Sequence, residues 1–191
     1  MHKSLTVIRE EHRSLAGVLH GLQYLVKQIA EGRGTPDFEL LNAMIAYILM
    51  FPVRLHHPKE DEYLFRILRS RDAAVVPVLD ELEAEHVRDR EYARDLAEAL
   101  QRYQRDAGVF HSFADAVERY AAFQWAHMRK EEDVVLPAAE RALGPGDWSA
   151  IDAAFESNRD PLGGVGVAEE FRELFQRIMS TAPAPIGTGR P

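Results

Sequence analysis

Two ten-residue stretches of this chain are variants of one pattern. HHPKEDEYLF begins at His56, and HMRKEEDVVL begins at His127. Each sets a histidine and a glutamate four positions apart, His56 with Glu60 and His127 with Glu131. Residues i and i+4 lie on one face of a helix, a turn apart. Here that face is otherwise apolar. A charged, unpaired carboxylate buried on such a face costs on the order of several kcal/mol. The apolar faces offer no lysine or arginine at the matching positions, so the fold must bring two glutamates and a source of positive charge together.

The rest of the pattern is helical nearly throughout. Leu5, Ile8, His12, Leu15, Leu19, Leu22, Val26 and Ile29 recur by threes and fours and mark one face of a first helix. GRGTP (32–36) breaks it, and Pro36 is placed to start the next helix. The second face runs Leu41, Met44, Ile48, Phe51, His56, Glu60, Tyr63 and Ile67. Pro52 and Pro58 fall inside it, where each removes a backbone hydrogen bond and can bend the helix beside His56. Arg71, Asp72 and Pro77 mark the turn into a third helix carrying Leu79, Leu82, His86, Ala93, Leu96 and Leu100. Gly108 interrupts again, and the fourth face runs Phe113, Val117, Tyr120, His127, Glu131, Val134 and Ala138 before Gly144-Pro145-Gly146 stops it. Strand signals are nearly absent. Four long helices with short connections predict an all-α fold, an antiparallel up-down four-helix bundle over 1–143. Residues 144–191 are expected to form a short helical appendage. It comprises WSAIDAAFESN behind Asp147 as a cap, a connector PLGGVGV, an amphipathic AEEFRELFQRIM and a polar tail. PLGGVGV is no phosphate loop, since no Gly-Lys-Ser/Thr follows it. The appendage is expected to cover the bundle or a dimer interface, or to be a working surface itself.

A rise of about 1.5 Å per residue places six side chains at one depth. His12 lies roughly 30 Å before the first turn, and His56 and Glu60 lie roughly 30 to 36 Å after it. The same pair lies roughly 15 to 21 Å before the second turn, level with His86 on the far side. His127 and Glu131 match His86 across the third turn to within about one helical turn. His12, His56, Glu60, His86, His127 and Glu131 therefore form one layer and are the candidate metal ligands. His12 to His56 spans 44 positions and His86 to His127 spans 41, so the bundle reads as two copies of one hairpin. Each copy supplies a lone histidine and a His-x-x-x-Glu, an arrangement suited to two metals sharing both glutamates. The lone histidines each follow an acidic residue, in REEHRSL and EAEHVRD. The other histidines read as surface or outer residues. His2 is terminal, His20 stands about 12 Å along the axis from His12, and His111 is more than about four turns from His127. His57 points about 100° away from His56, and His57 with Asp61 is the substitute pair if the prolines shift the register.

Composition narrows the chemistry. Apolar residues at 46% suffice for a core, and a formal charge of −8 argues against a nucleic-acid surface, which would need a basic face. No run of 18 apolar residues signals a membrane span, and the N-terminus meets charge too early for a signal peptide, so a cytoplasmic location is expected. Cysteine is absent, which removes disulfides, thiolate zinc sites and iron–sulfur clusters. Imidazole and carboxylate remain, and they suit iron, manganese or zinc.

This ligand set resembles the hemerythrin-like, or HHE cation-binding, family. The matching residues are His12 in EEHRSL, His56 and Glu60 in HHPKEDEYLF, His86 in EAEHVRD, and His127 and Glu131 in HMRKEEDVVLP, across about residues 5 to 140. Members often show Leu-Phe-Pro after the motif, where this chain has Leu64-Phe65-Arg66 and Val135-Leu136-Pro137. The resemblance implies a non-heme di-iron centre bridged by Glu60, Glu131 and an oxo or hydroxo group, with manganese or zinc as substitutes. Oxygen-carrying members use five histidines. The four in register here leave two of the coordination positions of a six-coordinate pair for dioxygen, nitric oxide, peroxide or water. The implied functions are binding or sensing of dioxygen or nitric oxide, or iron handling. An enzyme reducing nitric oxide or peroxide is one alternative, and a metal-stabilised interaction module is another.

Overall fold

The computed structural model describes residues 2–156 of the chain. Among them the elements are helical and no strand occurs. Helix α1 is Lys3–Ala30. Helix α2 is Phe38–Arg69, capped at its start by the Asp37 side chain, which accepts from the Leu40 amide at 3.0 Å. Helix α3 is Val76–Arg105, with Pro77 in its first turn. A single 3-10 turn, Ala107–Val109, leads into α4, which spans 110–142. Helix α5 is Pro145–Glu156. Helix α1 packs against α2 and α4, and α3 packs against the same two, so successive helices neighbour one another around the antiparallel bundle that the periodicity predicts.

The prolines widen the helices instead of breaking them. Pro52–His56, Glu60–Phe65 and Glu131–Val135 are π-helical, with bonds reaching five residues back. The His57 amide bonds to the Pro52 carbonyl, and the Leu136 amide to the Glu131 carbonyl. A proline lacks the N–H that continues the ordinary ladder, and its ring crowds the carbonyl four residues back. Pro52, Pro58 and Pro137 each stand inside or beside such a widened turn. Both motif glutamates begin one, so the sequence repeat is also a repeat of backbone geometry.

Two apolar clusters flank the widened turns. One holds Leu15, Leu19, Leu22, Met44, Ile48, Phe51, Leu96, Phe113 and Tyr120 among others. The other holds Leu5, Ile8, Leu64, Phe65, Leu79, Leu82, Leu136 and, from α5, Trp148, Ile151 and Phe155. The site lies between them. Helix α5 thus shares the bundle's core. Ser4 donates through its amide and hydroxyl to Asp152 at 2.8 and 2.6 Å, and Lys59 donates to the Ala154 carbonyl at 3.0 Å. Asp147, expected as a cap, sits inside α5, accepts from the Gly144 amide and pairs with Arg71 at 2.8 Å. The segments PLGGVGV and AEEFRELFQRIM and the tail lie outside the described residues.

One 18-residue window of α2 reaches a mean hydropathy of 1.5, so by length and composition this helix is apolar enough to cross a bilayer. Its apolar residues are largely used inside the bundle: Leu40, Leu41, Met44, Ile45, Ile48 and Phe51 are all buried.

Candidate metal centre

The layer expected from axial arithmetic is present as a buried polar cluster. His12, His56, His86 and His127 are each less than 5% exposed, and Glu60 and Glu131 are fully buried. Ligand-capable atoms gather in two groups within 4.8 Å: His12, His56, Glu60 and Glu131 form one, and His57, Glu60, His86 and His127 form the other. Glu131 straddles them. Its Oε2 lies 3.2 Å from His12 Nε2, and its Oε1 lies 3.2 Å from His127 Nε2 and 3.7 Å from His86 Nε2. Glu60 Oε2 lies 3.3 Å from His56 Nε2 and 3.7 Å from His86 Nε2.

His57 departs from the sequence reading. It is buried, stacks on His86 with ring centroids 4.2 Å apart, and joins the second group. The reason lies in the widened turn and the width of the site. A π turn rotates less per residue than an α turn, so consecutive residues diverge less than the roughly 100° assumed for an α-helix. Two groups side by side also need two directions: His56 faces α1, and His57 faces α3. The substitute pairing of His57 with Asp61 does not form. Asp61 instead accepts from His86 Nδ1 at 2.7 Å. Three histidines stay outside, as expected. His2 stacks on Trp148, His20 lies against Trp125, and His111 is exposed.

Every clustered histidine has a carboxylate behind it. His12 Nδ1 donates to Glu132 at 2.9 Å, His56 Nδ1 to Glu11 at 2.6 Å, and His127 Nδ1 to Glu85 at 3.0 Å. His57 Nδ1 lies 3.4 Å from Asp89, itself held by Gln124 at 2.6 Å. A carboxylate only accepts, so each bonded Nδ1 carries a proton and Nε2 is the ring atom turned to the interior. The pairing is crossed. The acid before each lone histidine (Glu11, Glu85) serves the motif histidine of its own hairpin. The acid after each motif glutamate (Asp61, Glu132) serves the lone histidine of the other hairpin. Glu11 and Glu85 stand beside the lone histidines in the sequence, but which ring each holds is set by the fold. Their recurrence in both hairpins was the available signal.

Charge in the cluster balances through protons. Burial, the largest influence, pushes His127 down, but Glu131, Glu85 and Glu60 outweigh it and hold the ring at about 10. His12, His56 and His86 are also raised, against burial, by their carboxylates. Burial raises Glu131, yet His127, His12 and His86 bring it well below the usual carboxylate range. His57 goes the other way: burial, then the neighbouring His86, His127 and His56, push it well below its ordinary value. Burial lifts Asp89 to about 6.

The donor set fits a metal centre. His12 Nε2 and both oxygens of Glu60 and Glu131 are buried with no hydrogen-bond partner. Five imidazoles and two straddling carboxylates match what iron, manganese or zinc accept. A search of curated proteins finds no match. The hemerythrin HHE cation binding domain matches residues 3–139, more than half of the 191-residue sequence, and the segment it covers contains every residue of both groups. The crossed histidine–carboxylate cluster between two apolar layers is therefore set in a chain that belongs to the hemerythrin HHE cation-binding family.

Proposed function

We propose that this chain holds two irons in the buried cluster and uses them to bind a small diatomic ligand, dioxygen or nitric oxide. The observation that carries this reading is His57. With it, five imidazoles and two straddling carboxylates surround two metal positions. Holding two irons, these residues would leave about one coordination position free for a diatomic. The group of His57, His86 and His127 has three imidazoles, and that of His12 and His56 has two, so the free position would belong beside His12 and His56. The five-histidine complement also answers the ligand set that the family's oxygen carriers use, which four histidines did not.

When bound, ferrous iron supplies the electrons and the open coordination position for a diatomic. The chain's own residues do the rest. Glu60 and Glu131 neutralise the cations and hold them adjacent. Glu11, Glu132, Asp61, Glu85 and Asp89 fix each ring's orientation and raise its basicity. The apolar clusters on either side exclude water, which slows escape of a neutral gas and limits loss of the metals.

Metal analysis of aerobically purified protein with an optical spectrum tests this. About two irons per chain, near-ultraviolet ferric charge-transfer bands and a reversible change on deoxygenation or nitric oxide addition are expected. A colourless zinc-loaded protein would exclude the diatomic reading. Steady consumption of peroxide or nitric oxide by the reduced protein would replace it with an enzyme.

A further inference from the structure

The cluster is so buried that any ion or gas must cross protein to reach it, and one cavity comes close. A groove of about 360 Å³ lies between α1 and α4, lined by His12, Ala16, Trp125, Met128, Glu132 and Asp133 among others. His12 belongs both to this groove and to the cluster. The other cavities described lie at α3 and α4 around Asp95 and Ser112, at α2 and α3 around Val53 and Val87, and at the α1–α5 end around Trp148. None of them is lined by a residue of the cluster.

The His12 imidazole is common to groove and site. His12 Nε2 lies 3.2 Å from Glu131 inside, while its Nδ1 is held at 2.9 Å by Glu132, whose side chain is 44% exposed. The tether on the solvent side is thus a half-exposed carboxylate at the groove wall, which is inexpensive to release. The groove's volume is that of roughly ten water molecules at about 30 Å³ each, room for a swung ring and a partly hydrated ion. It also opens on the side of His12 and His56, where the free position was placed.

We propose that this groove is the port through which metal cations and the small ligand reach the site, with His12 as its door and Glu132 as its latch. This rests on the reading of the cluster as a metal site. Charge at the port is balanced. Glu132 and Asp133 face Arg13 and Arg129, so an uncharged diatomic is admitted and cation entry responds to either sign of substitution.

The test is the rate at which the metal-free full-length chain takes up cobalt(II), followed by stopped-flow absorbance, with metal content at equilibrium measured in parallel. Ala16→Trp, which plugs the groove, is expected to slow uptake on the order of tenfold. Asp133→Asn should slow it and Arg129→Gln should speed it, each by about two- to threefold at low salt and neither at high salt. Val87→Trp, in the α2–α3 groove, should leave the rate unchanged. Uptake at the wild-type rate in Ala16→Trp together with no opposed effect of the two charge variants overturns the port and leaves the metal site standing. Equal slowing by Val87→Trp also overturns the port. If Ala16→Trp fails to fold, the opposed charge effects decide alone. A wild-type chain that takes up no cobalt at equilibrium overturns the metal site and the port with it.

Discussion

His57 shows how a single residue changes the chemical content of the site. Without it each of the two groups has two imidazoles; with it one group has three. His57→Ala should therefore lower metal content from about two to about one per chain, measured by elemental analysis, with the fold kept as judged by circular dichroism. The protonation states give a second expectation. Metal-free His127 is held at about 10, and His12, His56 and His86 are raised, so near pH 7 a cation must displace protons from them. Loading should release protons into a weakly buffered solution, and metal affinity should fall as pH falls from 8 to 6. An affinity independent of pH would exclude displacement at these rings. In the metal-free fold the sign is the usual one for a raised histidine. The stabilisation from His127 is full below the ordinary value of 6.5 and is lost as pH rises through about 10. The four in-register histidines were legible because their spacing is a helical period. His57 was not, because its direction depends on backbone bonds that a periodicity count takes to be α-helical.

At the scale of elements, helix existence and order followed from apolar periodicity, and the turns from Gly32 to Pro36, Arg71 to Pro77 and around Gly108 fell where glycine and proline put them. The widened turns were only half legible. Pro52 and Pro58 announced a disturbance near His56, but its form, two π turns through which the helix continues, depends on backbone bonds that side-chain periodicity does not reveal. Helix α5 was legible as a helix, and covering the bundle was one of the alternatives open for it. Its Phe155 and Ile151 are fully buried in an apolar cluster shared with the other helices, and α5 packs on α1 and α2. Phe155→Ala should cost about 3–5 kcal/mol, as large aromatic truncations in a closed core do. Thermal or denaturant unfolding measures it. A loss below about 1 kcal/mol would mean that α5 is peripheral.

At the scale of the whole molecule, the six-residue layer was legible because an antiparallel bundle turns sequence distance into depth, and short turns leave little freedom in that conversion. The crossed carboxylates were not, because which acid reaches which ring depends on how the two hairpins face each other. The same crossing ties the helices together through the site: Glu11 and His12 of α1, His56 to Asp61 of α2, Glu85 to Asp89 of α3, and His127 to Glu132 of α4. A cation that binds the folded cluster and not the unfolded chain stabilises all four helices at once, by about 4.1 kcal/mol when its free concentration is 1,000 times its dissociation constant. For a chain of this size each kcal/mol moves the melting temperature by about 2–4 °C. Metal loading should therefore raise it by roughly 8–16 °C, and a chelator should reverse the rise. In Glu131→Gln, which removes the carboxylate straddling both groups, the metal-dependent increment should largely vanish. If that variant keeps the full increment, the cations that stabilise the protein are bound somewhere other than between its four helices.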